Sequence, residues 1–451
     1  MAGVAMFSPD RRAGPVRRAC AHGFDLAVCA WHTHEPMEPP RSPVSPSRSA
    51  NAFHYRAYRY FFISRLFNSF ALQIIGTAVG WQIYALTHNP VYLAYIGLVV
   101  FLPVLLLVLP SGYVADHYNR RLISIICFVL EAICAMGLLV FSSGSQHALW
   151  AVYAYLALLG VAASFGNPAA SALVPNMLSK EALPHGISLN AMTWQTAAIL
   201  GPVVGGLLYG IGPVTAYSVS LAFVLLSIAS TALMGHVNQH RNAQSEGGLM
   251  TLLAGFRFIM TEPVVLGAIS LDLFAVLLGG AVALLPVYAS DILHLDSIGL
   301  GLLRAAPGVG AILVALWLSK FGIRDRAGYV LFIAVALSGA SVVVFGYSLL
   351  PWLSIVALAA YGGLDMISVY VRETLMQLWI PDHVRGRVNA VNNVFIGASN
   401  QLGEARAGFV AAAMGAIPAV VIGGFGTLAV AGIWAFMFPK LRDARSLTAT
   451  E

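Results

Sequence analysis

The sequence predicts an all-α membrane protein with twelve transmembrane helices arranged in two pseudo-symmetric six-helix halves. Three observations lead to this prediction: an apolar composition, apolar runs of bilayer-crossing length, and basic residues confined to alternate connections. Apolar residues form 59% of the 451 residues and charged residues 10%, against about 45–50% and about 25% in soluble domains. So few charges cannot cover a soluble surface, so lipid is the expected solvent.

From Tyr60 onward the chain consists of apolar runs close to the roughly 20 residues that cross a bilayer core. Glycine and proline within these runs are typical of membrane helices, because neighbouring helices satisfy the freed backbone groups. We place the spans at residues 60–86, 91–113, 121–142, 148–174, 187–211, 214–235, 263–289, 297–319, 328–349, 352–378, 388–413 and 416–438.

Lysine and arginine fix the expected orientation. Even-numbered connections and both tails carry the bases, among them Arg120, Arg121, Lys180, Arg257, Lys320 and Arg385. Odd connections, such as residues 87–90, 142–147 and 346–351, contain neither lysine nor arginine. By the positive-inside rule both termini are cytoplasmic, in agreement with an even number of spans.

A weak internal repeat predicts the two halves. Asn190, Leu200, Gly201 and Gly206 recur 202 residues later as Asn392, Leu402, Gly403 and Gly408, and residues 96–98 recur as 298–300. We therefore divide the chain into a disordered N-terminal tail (1–52), a first half (53–235), a central cytoplasmic linker (236–262), a second half (263–439) and a cytoplasmic tail (440–451). Met37 is an alternative first residue.

The most specific local motif is Gly112-Tyr-Val-Ala-Asp116-His-Tyr-Asn-Arg120-Arg121, after the second span. Gly112 permits close helix approach, Asp116 and Arg120 can pair at the membrane surface, and Arg121 can anchor there. The alternative is an ordinary charged inner loop.

This motif resembles the cytoplasmic gate signature of the major facilitator superfamily, and the likeness extends from about Phe53 to Arg442. Within that superfamily the chain is most similar to the bacterial enterobactin-exporter-like, secretion-type permeases. The stretches that carry the likeness are 174–184, 271–277 and 381–387, together with Gly201, Pro202, Gly205 and Gly206, which resemble the span-five signature of antiporters and efflux proteins. Lys320 stands where Asp116 would be repeated, so the second copy of the gate motif is degenerate.

Charged residues inside the spans are the candidates for chemistry, because each costs about 2.5–3.5 kcal/mol at a span centre. They are Arg65, Glu131, Asp272, Arg304, Asp365, Arg372, Glu373, Glu404 and Arg406. Arg65, Arg372 and Glu373 lie near the expected cytoplasmic ends, where snorkelling suffices.

The resemblance implies that spans one, four, seven and ten line a central cavity, which places Asp272 and Asp365 beside the substrate path. A proton carrier must be able to become neutral, and burial favours the neutral form of a carboxylate. We therefore select Asp272, Asp365, Glu131, Glu404 and Arg372 as proton-coupling or substrate-cavity candidates. The alternative is permanent structural pairing, for instance of Asp272 with Arg304 or of Glu404 with Arg406.

The predicted function is secondary active transport by alternating access, with proton-coupled export of a small siderophore-like or drug-like molecule. The alternative is a transporter-fold sensor or scaffold without transport activity. An enzyme is not expected, because the sequence carries no HExxH motif, nucleophile elbow or phosphate loop. We predict no cofactor, no metal and no nucleic acid, and expect a monomer in the bacterial inner membrane, in contact with lipid, protons and substrate.

Overall fold

The computed structural model describes residues 51–144, 148–235, 237, 248–323 and 326–444, and within them every regular element is helical. In chain order these are α1 Arg56–Thr87, α2 Pro90–His117, α3 Arg120–Ser143, α4 Leu149–Met177, α5 Leu183–Ile211, α6 Pro213–Leu233, α7 Gly248–Thr261, α8 Pro263–Gly279, α9 Leu285–Val287, α10 Ser297–Phe321, α11 Ala327–Tyr347, α12 Pro351–Trp379, α13 Asp382–Met414, α14 Ala416–Met437 and α15 Pro439–Arg442. Most of the predicted N-terminal tail (1–50), much of the predicted linker (236, 238–247) and the last residues (445–451) lie outside the described residues.

Eleven helices of the described chain are long and apolar enough to cross a membrane. The predicted all-α membrane fold is therefore confirmed in its coarse form. The remaining predicted span, 388–413, falls on α13, whose 33 residues would extend about 50 Å. Helix α13 is polar for a span, and it packs against α2 and α8, where protein can cover its polar side chains.

The long helices pack in two sets. In the first set α1 contacts α5 and α6, α3 contacts α4 and α6, and α2 contacts α4. In the second, α12 contacts α10 and α11, while α14 contacts α8 and α11. The main contacts between the sets are made by two helix pairs, α5 with α10 and α2 with α13.

The sequence repeat coincides with these two pairs. Gly206 of α5 packs against the backbone of Ser297 at the start of α10, and Gly408 of α13 packs against Ala94 near the start of α2. Glycine at these positions lets two helix backbones approach closely, where any side chain would collide. The 202-residue repeat thus marks equivalent contacts in the two sets.

The predicted span 263–289 lies within one candidate membrane span, Pro263–Ile292, but the helix is interrupted there. Helix α8 ends at Gly279, Gly280 adopts a left-handed conformation with φ +46°, and a 3-10 turn, α9 and a π turn follow to Ile292. A side chain at Gly280 would meet the carbonyl of Gly403 on α13. The break is tolerated because neighbouring protein surrounds the irregular backbone.

Two ends of the helix bundle are distinguished below. We call the end with residues 118–119, between α2 and α3, the Arg120 end, and the end with residues 88–89, between α1 and α2, the Tyr84 end. At the Tyr84 end the Tyr84 hydroxyl donates a hydrogen bond to the Asp291 carboxylate, joining α1 to the π turn. Near the Arg120 end a cavity of about 480 Å³ separates residues of α2 and α4 from residues of α13.

Candidate functional site

The first group of candidate residues lies between α1, α3, α4 and α5, beside a cavity of about 190 Å³. Glu131 of α3 is 5% exposed, interacts electrostatically with Arg65 of α1, and is hydrogen-bonded by Asn68. One Glu131 oxygen, Oε2, is buried and has no hydrogen-bond partner among the residues that the structure describes. Glu131 therefore lies in a polar pocket that is lined also by Ser69, Gln73, Ser124, Asn167 and Trp194.

The second group joins α8 to α12. Asp272 forms an ion pair with Arg372, and their side chains are 13% and 4% exposed. Asp365, seven residues before Arg372 on the same helix, interacts electrostatically with both Asp272 and Arg372. Within the membrane-spanning helices one carboxylate is thus paired directly with the guanidinium, and a second interacts with both electrostatically.

This geometry corrects two expectations. Arg372 does not snorkel toward the membrane surface, because its side chain is buried and turns toward Asp272. The suggested pairing of Asp272 with Arg304 is also wrong, since the partner of Asp272 comes from α12 rather than α10. The seven-residue spacing of Asp365 and Arg372 does put both on one helical face, as two turns of helix require.

The third group contains Glu404 and Arg406 on α13. Their suggested pairing is wrong, because residues two apart on a helix point in different directions. Glu404 instead interacts electrostatically with Arg304 of α10. Arg406 Nη2 donates a hydrogen bond to the carbonyl of Leu278, at the broken end of α8. A cation suits this position, because the C-terminal carbonyls of a helix carry partial negative charge.

The loop motif is held by hydrogen bonds at the Arg120 end. Arg120 lies 3.7 Å from Asp116 and donates to the carbonyl of Ala172 on α4 at 3.0 Å. Arg121 donates to the carbonyls of Thr231 and Ala232, in the last turn of α6, at 3.0 and 2.6 Å. The two arginines therefore fasten α2 and α3 to α4 and α6, whereas the Asp116 side chain is 45% exposed and Gly112 has no atom within 4 Å of its virtual Cβ.

The span-five motif brings α5 close to two other helices. A Cβ on Gly201 would lie 2.5 Å from Gln73 Cβ, and one on Gly205 would lie 3.1 Å from Ile74 Cα, both on α1. Gly206 faces α10, and the Pro202 carbonyl lies 2.6 Å from the Cβ position of Gly301. The motif thus supplies a helix face without large side chains, by which α5 packs closely between α1 and α10.

Sequence reasoning missed three features. The Tyr84–Asp291 hydrogen bond joins residues 207 positions apart, so no local pattern could reveal it. The break in α8 had a signal, the consecutive glycines Gly279 and Gly280 within an apolar run. The contact of Arg304 with α1 had none, because it depends on how two distant helices cross.

Known proteins with the same sequence pattern are transporters. The enterobactin exporter EntS of Escherichia coli (strain K12) and that of Shigella boydii serotype 18 are each 28% identical to this chain over 397 residues, covering 86% of this chain and 93% of the relative.

Solved structures show the same fold at low sequence identity. The nucleoside transporter NupG matches with a TM-score of 0.68 at 12% identity, covering 85% of this chain and all of the other. A bacterial homologue of the iron transporter ferroportin matches with a TM-score of 0.62 at 16% identity, covering 86% of this chain and 98% of the other.

The family assignment follows from a match over most of the chain. The family model described as transmembrane secretion effector matches residues 47–450. The resemblance noted from the loop motif is thereby confirmed, as is the expectation that the chain is not an enzyme. The chain belongs to the transmembrane secretion effector family of the major facilitator superfamily.

Proposed function

We propose that this chain is a proton-coupled exporter of a small organic molecule, siderophore-like or drug-like, that works by alternating access. Its relatives at 28% identity are enterobactin exporters, which supports export and a substrate of this kind. We further propose that the protein is a monomer in the bacterial inner membrane. It has twelve spans, counting α13, and both termini lie in the cytoplasm. The Arg120 end is then cytoplasmic, as its bases favour.

The observation that carries the proton coupling is the group formed by Asp272, Asp365 and Arg372. A single guanidinium can balance only one of the two carboxylates, and an uncompensated charge among membrane helices is costly. A proton on the second carboxylate removes that cost. Because Asp272 is the direct partner of Arg372, Asp365 is the carboxylate that we expect to exchange the proton.

The two sets of helices and the two pairs that join them support the proposal of alternating access. The pairs α2–α13 and α5–α10 are in contact near the Tyr84 end, while the cavity of about 480 Å³ lies between α2 and α13 toward the Arg120 end. We propose that residues 53–235 and 263–439 rock against each other, which closes this cavity and parts the Tyr84 end. The gate residues Gly112, Asp116, Arg120 and Arg121 then lie at the closing side.

The test is transport in inside-out vesicles with an imposed pH gradient, using a panel of siderophores and cationic dyes. Asp365→Asn is expected to abolish gradient-driven transport but to retain downhill exchange, because exchange needs no protonation cycle. Asp272→Asn is expected to uncouple transport as well, because Arg372 would then balance Asp365 and no carboxylate of the group would need a proton. Full gradient-driven transport by the Asp365→Asn protein would remove Asp365 from the coupling mechanism.

The topology has its own test. Reporters at residues 145 and 350 are expected on the periplasmic side, and reporters at residue 245 and at the C-terminus in the cytoplasm. A cytoplasmic signal at residue 145 would contradict twelve spans in this orientation.

A further inference from the structure

Arg304 occupies an unusual position between the two sets of helices. It belongs to α10, yet its Nη1 donates a hydrogen bond to the Thr77 hydroxyl of α1 at 3.2 Å. The guanidinium lies over two glycines of α1, with its nitrogens 3.8 and 3.6 Å from the virtual Cβ positions of Gly76 and Gly80. Because the Thr77 hydroxyl donates to the Gln73 carbonyl at 3.0 Å, its oxygen is left to accept from Arg304.

The charge of Arg304 is poorly matched by its surroundings. Among the described residues its buried Nε, like that of Arg372, has no hydrogen-bond partner, and no carboxylate lies within ion-pair distance of Arg304, 4.0 Å. Glu404 interacts with it only from a greater distance. By contrast, Arg372 has the Asp272 carboxylate. A guanidinium whose direct partner is one neutral hydroxyl retains unsatisfied donors, which is unfavourable away from water.

Arg304 is only partly buried, and the face of α1 beside it continues toward a cavity. Ser69, Leu72 and Gln73 line the cavity of about 190 Å³, and Gly76 follows at the spacing of the same helical face. Gly76 is itself exposed, and among the described residues only Arg304 approaches its virtual Cβ within 4 Å. The absent side chain at Gly76 leaves space beside the Arg304 donors, whereas the Gly80 side is filled by Arg304 and Pro286.

We infer that Arg304 binds an anionic group, a carboxylate, sulfonate or phosphate, of the exported molecule. The planar guanidinium offers paired N–H donors that match such oxyanions, and the charge-assisted bonds are stronger than the present bond to a hydroxyl. An anion would therefore draw Arg304 away from Thr77. That exchange removes a hydrogen bond between α10 and α1, so anion binding would weaken the contact between the two sets of helices.

This inference deepens the proposed function, but its test needs neither a gradient nor transport. Purified protein is titrated with 1-naphthoate, 1-naphthalenesulfonate and 1-naphthyl phosphate, each compared with neutral 1-naphthamide, and binding is followed by tryptophan fluorescence and by Tm. Trp194 lines the adjoining cavity and provides a local reporter. We expect at least one anion, and not the amide, to bind and to raise Tm.

Three variants separate recognition from structure. Arg304→Gln is expected to weaken binding of the anion by about 10- to 100-fold, because it removes charge-assisted hydrogen bonds. Arg304→Lys keeps the positive charge but not the paired N–H donors of the guanidinium, so its affinity for the anion should lie between those of Arg304→Gln and the wild type. It replaces Arg304→Gln in the test if that variant does not fold. The matched control Thr77→Val keeps the guanidinium and removes the hydroxyl that competes with the anion for it. This variant should therefore bind the anion as well as or better than the wild type.

Several results would overturn the inference. They are equal binding of acids and amide, anion binding that survives in both Arg304 variants, loss of binding in Thr77→Val, or no binding by any of the three anions. Failure of proton coupling in vesicles would leave this equilibrium result untouched. The two proposals can therefore fail independently.

Discussion

Helices α2 and α13 run beside each other, and their two ends differ. Toward the Tyr84 end, Gly408 lies against Ala94, with only 2.6 Å between its virtual Cβ and the Ala94 Cβ, and Gly97 lies against the Gln401 backbone. Toward the Arg120 end, Gly112 and Gly397 line the cavity of about 480 Å³, and no atom of the described part of the chain approaches their virtual Cβ positions within 4 Å. The helix pair thus carries glycines at both ends, but in this conformation only those at the Tyr84 end, Gly97 and Gly408, lie in the contact between the two helices.

This difference between the two ends indicates how one helix interface can serve two conformations. A glycine in contact permits the present approach of the backbones, whereas a glycine beside open space leaves room for an approach that has not occurred. We expect the open end to close, and the contacts at the Tyr84 end to part, in the alternate state. Substitutions at the two ends should therefore have opposite consequences.

The largest effect is expected for Gly408→Leu compared with Gly397→Leu. A leucine at 408 collides with the backbone of Ala94, so overpacking should cost about 1–3 kcal/mol or more in this conformation. At 397 the same side chain has space. Tm should fall for Gly408→Leu and stay near the wild type for Gly397→Leu. Equal Tm losses would show that the two ends do not differ as described.

Gly112→Leu should block closure without disturbing the present conformation. Its side chain would enter the cavity between α2 and α13, so we expect a wild-type Tm and about 100-fold slower transport. A cysteine at Asn393, which lines the same cavity, should remain accessible to thiol reagents during turnover in this variant. Gly112→Ala is the matched control, and we expect its transport rate to fall less than that of Gly112→Leu. Normal transport by Gly112→Leu would mean that this end does not close.

Tyr84→Phe tests the opposite end. The hydroxyl hydrogen-bonds to the Asp291 carboxylate, and a bond to a charged group contributes about 1.5–3 kcal/mol. Its loss should shift the population toward opening of the Tyr84 end. A buried reporter at this end, Ser297→Cys, should therefore be labelled faster by thiol reagents in the Tyr84→Phe background than in Ser297→Cys alone. Tyr209→Phe, whose hydroxyl has no part in this contact, provides the control. Unchanged labelling would assign Tyr84 to packing alone.

The smallest effect is expected for Asp116→Asn. In the present conformation Asp116 contributes one half-exposed ion pair with Arg120, which is worth up to about 1 kcal/mol. Expression and Tm should remain near the wild type, while the balance between the two conformations shifts severalfold because a charge is lost at the closing end. Thiol accessibility at the Tyr84 end measures this balance, and an unchanged value would count against a gating role.

Much of the fold could be predicted from hydropathy, because a membrane helix must satisfy its backbone within its own segment. The break at Gly280 could not be located in this way, since it depends on the Gly403 backbone of another helix. Candidate charges could be identified by their cost in lipid. The predicted pairing of Asp116 with Arg120, four residues apart, was confirmed, but that of Glu404 with Arg406 was wrong. Residues two apart point to different sides of a helix, so their partners come from other helices.

The membrane class, the approximate helices, the glycine motifs and the family could all be read from the sequence, because each depends on composition or on spacing within one segment. The tertiary structure decided which charges meet: Asp272 with Arg372, Asp365 beside both, Glu404 toward Arg304, and Arg304 against Thr77. It also decided which glycines are in contact and which face a cavity. The physical reason is that lipid selects each helix individually, whereas the side chains that become neighbours depend on how separate helices cross.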